Sequence, residues 1–160
     1  MRPTRRRIYR FALAVAMLLL AAVPATAIAG LPNVVIGAGN LQGHLVLQNA
    51  RGLTIYMSGR DQNGRSSCYG YCVNSWTPVL TGSSVFARSG SGVSQKLFGT
   101  TRRRSGKLQV TYNGHPLYTS TMDNRRGDDN GEGCIDSTGH YWWMLGRRGN
   151  PVRLPGCQGY

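Results

Sequence analysis

At 160 residues, with 19 Lys and Arg against 6 Asp and Glu and a formal charge of +13, the chain suits one basic domain. Glu132 is its sole glutamate, which leaves little material for the paired carboxylates of a glycoside hydrolase. Four cysteines, an even number, fit a protein that matures in an oxidising compartment.

Residues 1–10, MRPTRRRIYR, are basic; residues 11–23 form an unbroken apolar run; small residues follow at Ala25, Ala27 and Ala29. A basic start, a short apolar core and an A-x-A site predict a secretory signal peptide over residues 1–29, leaving one β domain over residues 30–160. The run is too short to span a bilayer comfortably, so the mature form is expected to carry no transmembrane segment. Thr4-Arg5-Arg6-Arg7 also resembles a twin-arginine export signal, but the strongly apolar core fits the general export route better. Five arginines would leave with the leader, so 14 basic and 6 acidic residues give the mature chain a charge of +8. Most of that charge lies in Arg102-Arg103-Arg104, Arg125-Arg126 and Arg147-Arg148, expected on loops as a solvated face. The expected location is periplasmic or secreted. The sequence leaves the partner unknown, with an anionic envelope surface or an envelope protein as candidates; nucleic acid is not one, because export removes it and no recognition motif accompanies the charge.

The first predicted strand covers residues 34–36, followed by HLVLQ at 44–48, a turn at 49–52 and a hairpin partner, LTIYM, at 53–57. A polar loop leads to the first cysteine pair and to Trp76, expected as a core anchor beside Val79 and Leu80. Residues 81–106, with SGSGVS at their centre, read as a linker with one short strand at 95–98. Strands at 108–112 and 117–122 flank Asn113-Gly114, the strongest short hairpin signal, because a type I′ turn needs positive φ at both central positions. A long polar loop then precedes an aromatic strand from His140, and residues 146–160 form a tail. No helical period appears outside the leader, so the fold class is all-β.

The second hairpin echoes the first. Gly52, Tyr56 and Asp61 correspond to Gly114, Tyr118 and Asp123 at a constant offset of 62, and Cys68 and Trp76 to Cys134 and Trp142 at 66. Two pseudo-repeated antiparallel hairpin units, about 44–80 and 107–145, are therefore expected to pack as a small disulfide-stapled sandwich. Within each unit the spacing Tyr56 to Asp61, or Tyr118 to Asp123, suggests a phenol–carboxylate hydrogen bond tying a loop to its own hairpin. Cys68, Cys72, Cys134 and Cys157 allow three pairings. Cys68–Cys72, closing a loop through Tyr69-Gly70-Tyr71, and Cys134–Cys157, pinning the C-terminus, are favoured. Zinc competes on cysteine count, but spacings of three and twenty-two residues suit it poorly.

With the Tyr-x4-Asp spacings, Tyr112 to Tyr118, Gly127 to Gly133 and Tyr141-Trp142-Trp143 in view, the chain resembles the bacterial secreted-repeat proteins of unknown function. These are a predicted lipoprotein family with a Tyr-x-aromatic-x-x-Asp motif. Ser66 to Cys72 and Trp76-Thr77-Pro78 match its other repeat, so the resemblance covers residues 46–145. Ser58 and Ser120 stand where the motif has its aromatic, and no lipidation cysteine follows the leader. The resemblance implies an exported protein, soluble or held to a surface by charge, in a neighbourhood that for some members includes electron-transfer components.

Candidate chemistry is thin. Asp128, Asn130 and Glu132 are spaced as alternate ligands of a calcium loop, but Gly139 stands where a bidentate Glu is needed, so an Asx-turn loop is the default. His115 and His140, with Met57, Met122 and Met144, are the other metal candidates. No Gly-x-Ser-x-Gly or His-Glu-x-x-His occurs. The expected function is therefore a non-catalytic binding or structural module of the cell envelope, without cofactor. An extracytoplasmic electron-transfer or metal-binding accessory protein is the first alternative and a secreted hydrolase the second.

Overall fold

A computed structural model describes residues 33–157; the expected leader lies outside the described residues. The chain runs through β1 (Val34–Leu41), β2 (His44–Asn49), β3 (Tyr56–Ser58), a single helical turn α1 (Cys72–Ser75), β4 (Trp76–Pro78), β5 (Leu80–Thr81) and β6 (Val85–Ala87). After a 3-10 turn (Gln95–Leu97) come β7 (Phe98–Arg102), β8 (Leu108–Tyr112), β9 (His115–Pro116), β10 (Tyr118–Ser120), β11 (Trp142–Leu145) and β12 (Pro151–Val152). The fold is all-β and stapled by Cys68–Cys72 and Cys134–Cys157. No helix among the described residues is long and apolar enough to cross a membrane.

Local turn chemistry sets the hairpins. Asn113 and Gly114 both have positive φ, 48° and 79°, and they turn β8 back onto β9. Gln42 and Gly43, at 49° and 81°, do the same between β1 and β2. The partner of β2 is thus β1 and not the expected segment 53–57, which meets β2 only at the bridge Gln48 to Thr54 before passing into another sheet.

The expected two-sheet sandwich is instead three sheets. One has the order β2-β1-β6 and one the order β12-β11-β3-β10-β4; in the third, β8 pairs with β5, β7 and β9. The supposed linker 81–106 supplies β6, which runs parallel to β1 with Val34 opposite Val85, and β7, which pairs with the whole of β8. The short strand expected at 95–98 is the 3-10 turn, and β7 starts where it ends.

The five-stranded sheet buries one face fully and the other in part, and its side-chain alternation divides the core. Tyr56, Tyr118, Trp76, Trp142 and Met144 pack on one side with Val46, Cys68 and Cys134. Met57 and Leu145 point the other way, into Ile36, Leu47, Ile55, Val110, Tyr112 and Leu117. Each fully buried aliphatic side chain stabilises the fold by about 1.5–3 kcal/mol. Strands of the 44–80 and 107–145 segments alternate across this sheet: β11, β3, β10, β4. Tyr56 lies opposite Tyr118; Trp142 lies opposite Ser58, and Trp76 opposite Ser120. Ser58 and Ser120 therefore face the two tryptophans. Their small side chains leave room for the indoles, which stack at 3.9 Å between centroids and 3° between planes.

Candidate functional site

Under the stacked indoles lie the four motif residues, paired differently from the sequence expectation. Tyr56 Oη donates to Asp123 Oδ2 at 2.8 Å, and Tyr118 Oη donates to Asp61 Oδ2 at 2.7 Å. Each phenol reaches the carboxylate of the other segment. The cause is register: with Tyr56 opposite Tyr118 across β3 and β10, the loop leaving one strand folds over the neighbouring strand's ring. Burial and the adjacent carboxylate raise the pKa of both phenols above the ordinary tyrosine range. Burial also lifts Asp123 to about 6, against the pull of the Tyr56 hydroxyl and the Asn130 N–H. Asp61 is raised likewise, less the pull of Ser67, Tyr118 and the Arg103 charge.

A second polar chain starts at Arg103, which is only 8% exposed. Its Nη1 donates to Ser66 Oγ at 2.9 Å and to Gln109 Oε1, and its Nη2 to the Cys68 carbonyl at 2.6 Å. Ser66 Oγ lies 2.7 Å from Tyr118 Oη. Because the single phenol proton goes to Asp61, the serine hydroxyl is the donor in that contact. A buried guanidinium and the half-buried Asp61 carboxylate are thus joined through two hydroxyls. The sequence reading took Arg102, Arg103 and Arg104 together as a solvated cluster; the middle one is not. Alternation along an extended strand end, with Arg102 and Arg104 out and Arg103 in, is the signal that singles it out.

The metal candidates do not converge. Asp128 Oδ2 accepts the N–H groups of Asn124 and Arg125, and these hold its pKa below the ordinary carboxylate range. Asn130 Nδ2 donates to the Met122 carbonyl. Glu132, buried at 3% exposure, accepts from the N–H of Met144 at 2.5 Å and of Leu154 at 2.8 Å. Burial lifts it to about 7 despite those two bonds. His115 sits half-buried in the β8–β9 turn, its pKa lowered by burial against the charge of Asp61. His140 Nδ1 lies 3.1 Å from Thr138 Oγ1, in a turn organised by Asp136. Met57 and Met144 are core residues, and Met122 packs against the core. No group of three or more His, Cys, Asp or Glu among the described residues is placed to hold a metal ion.

Two concavities open beside this network. A cleft of about 670 Å³ is lined by Tyr69, Tyr71, the edge of Trp76, Ile135, Arg60 and Asp136, among others. Tyr71 stands at the tip of the Cys68–Cys72 loop, 92% exposed, and Ile135 is 49% exposed. On the other side of Tyr69 lies a basic groove of about 610 Å³. Sequence reasoning passed over both, since Tyr69-Gly70-Tyr71 drew notice only as the content of a disulfide loop.

Fold and site together define a disulfide-stapled all-β protein with carboxylates hydrogen-bonded inside the fold. Residues 99–145 match the family model of a secreted repeat of unknown function. That stretch runs from β7 through β11 and carries Arg103, Tyr118, Asp123, Glu132 and Trp142. The resemblance read from the sequence holds there. No curated protein and no solved structure matches the chain.

Proposed function

We propose that the protein is a non-catalytic binding module of the cell envelope, periplasmic or released, and that its ligand occupies the Tyr69–Tyr71–Ile135 cleft. The observation that carries this reading is Tyr71: a tyrosine ring 92% exposed, held out by a disulfide-closed loop at the mouth of a cleft. Displaying an aromatic ring to water forgoes burial, and a short covalent loop fixes it at little entropic cost on binding. The wall mixes aromatic faces with Arg60, Asp136, Ser137 and Thr138, which suits a ligand with an apolar face and many hydroxyls, that is, a saccharide. The non-catalytic reading is supported by the engagement of Asp61, Asp123 and Glu132 with hydroxyl and backbone donors inside the fold.

Calorimetric titration with soluble envelope saccharide fragments tests both parts. Saturable binding that Tyr71→Ala weakens roughly 10-fold, with the melting temperature unchanged, is expected. Equal binding by Tyr71→Ala would move the ligand elsewhere. Release of new reducing ends during incubation would end the non-catalytic reading.

A further inference from the structure

We propose a second site: the basic groove between the β7–β8 turn and the segment before Cys68 binds phosphate groups. It goes beyond the saccharide cleft and does not depend on it. The lining residues are Arg65, Ser66, Tyr69, Thr100, Thr101, Arg102, Arg103 and Arg104, and no carboxylate is among them.

The electrostatics are unusual in one respect. Arg103 is a buried cation whose hydrogen-bond acceptors among the described residues, Ser66 Oγ, Gln109 Oε1 and the Cys68 carbonyl, are all neutral. A buried charge normally comes with a contacting counter-charge. The carboxylate that feels Arg103, Asp61, is reached only through Ser66 and Tyr118. Arg103 and Arg104 also crowd one aromatic ring, with guanidinium carbons 4.5 and 4.3 Å from the Tyr69 centroid. Cation–π attraction holds them there, but it does not cancel the repulsion between them. Arg102 and Arg65 are exposed beside them, and Arg102 is steadied by a 2.8 Å bond from Nη1 to the Gly106 carbonyl.

These converging cations suit an anionic ligand. Planar guanidinium forks match phosphate oxygens in pairs, and several converging cations favour a multiply charged phosphate over a single carboxylate. Thr100 and Thr101 of β7 also line the groove. A space of about 610 Å³ accommodates more than one linked phosphate, so inorganic pyrophosphate is a suitable probe.

The test is calorimetric titration of the mature, disulfide-intact protein with pyrophosphate at low salt. Saturable one-site binding is expected. Arg102→Gln with Arg104→Gln should weaken it by roughly 10-fold or more, while Arg125→Gln with Arg148→Gln, an equal loss of charge elsewhere, should change it by less than about two-fold. Unchanged near-ultraviolet circular dichroism of both double variants establishes that they fold. Equal weakening by the two pairs would reduce the groove to general charge attraction and overturn the proposal, as would absence of saturable binding. Phosphatidylglycerol vesicles then identify the source. Vesicle binding competed by pyrophosphate assigns the site to a lipid headgroup, and no vesicle binding beside good pyrophosphate binding assigns it to a soluble phosphate ester. Vesicle binding that pyrophosphate leaves untouched places the lipid contact outside the groove and leaves the groove a site for soluble phosphate.

Discussion

The Tyr56 hydroxyl donates to Asp123, 67 positions away, and not to Asp61, which is far nearer in sequence. Tyr118 makes the reverse choice and takes Asp61. The two segments are therefore cross-braced: neither loop is anchored until both β3 and β10 are in place. A double-mutant cycle reads this directly. Tyr56→Phe with Asp123→Asn should show a coupling of about 1–2 kcal/mol in urea unfolding at pH 7.5, since a hydrogen bond to a charged acceptor is involved. Tyr56→Phe with Asp61→Asn should be additive within about 0.5 kcal/mol. The opposite pattern would restore pairing within each segment.

What was legible from the sequence was local. Asn113-Gly114 dictates its own turn, and the alternation at 108–112 lies beside it, so that hairpin needed no distant information. The parallel pairing of Val34-Val35-Ile36 with Val85-Phe86-Ala87 had no such signal, because the second strand is short and set among Gly and Ser. Spacing revealed Tyr56, Asp61, Tyr118 and Asp123 as a set. Which tyrosine meets which aspartate depends on register between β3 and β10, a property no single segment carries. Arg103 was masked by its neighbours: three arginines in a row average to a solvated cluster unless strand alternation is applied to them one at a time.

Glu132 and Asp123 set the response to pH. Burial raises both, to about 7 and about 6, from ordinary values of 4.5 and 3.8. A carboxyl with a raised folded-state pKa binds its proton more tightly when folded. Its stabilisation is complete below the unfolded pKa and is lost as pH rises through the folded one. Asp128 and Asp136 act oppositely. Hydrogen bonds hold the first down, and for the second the Thr138, His140 and Trp142 donors outweigh burial, so their stabilisation fades only in stronger acid. The melting temperature should therefore peak near pH 4–5 and fall by several degrees by pH 8, with Glu132 contributing on the order of 2–3 kcal/mol. Glu132→Gln should lower stability at pH 4.5, because its amide nitrogen cannot accept the N–H taken by the second carboxyl oxygen, yet flatten the slope between pH 5 and 8. A slope unchanged in the variant would clear Glu132 of the effect.

The indole stack depends on an absence of atoms at Gly131. A Cβ there would lie 2.7 Å from Trp76 Cη2, 2.9 Å from Trp76 Cζ3 and 3.1 Å from Tyr56 Cε1. Those rings are buried and stacked, with Trp76 also edge-on to Tyr56 at 5.4 Å, so they have little freedom to retreat. Gly131→Ala should cost about 1–3 kcal/mol through overpacking. It should also change the aromatic circular dichroism to which the stacked indoles contribute. A variant as stable as the parent with that spectrum intact would mean that the aromatic layer repacks freely.

The two disulfides divide labour by loop length. Cys68–Cys72 spans a sequence separation of 4 and Cys134–Cys157 one of 23. If both act by restricting the unfolded chain, the shorter contributes about 2 kcal/mol and the longer about 3.5 kcal/mol. Paired Cys134→Ala and Cys157→Ala should therefore lower the urea midpoint more than paired Cys68→Ala and Cys72→Ala. Binding should rank the other way. The short bridge carries Tyr71 at the cleft, and its loss frees the loop, so saccharide affinity should fall even where the fold survives. The long bridge lies behind the aromatic layer, with Cys134 packed beside Trp142 and Met144, and its loss should leave affinity per folded molecule unchanged. Stability and affinity measured on the same two variants thus separate a disulfide that stabilises the fold from one that presents a ligand-binding loop.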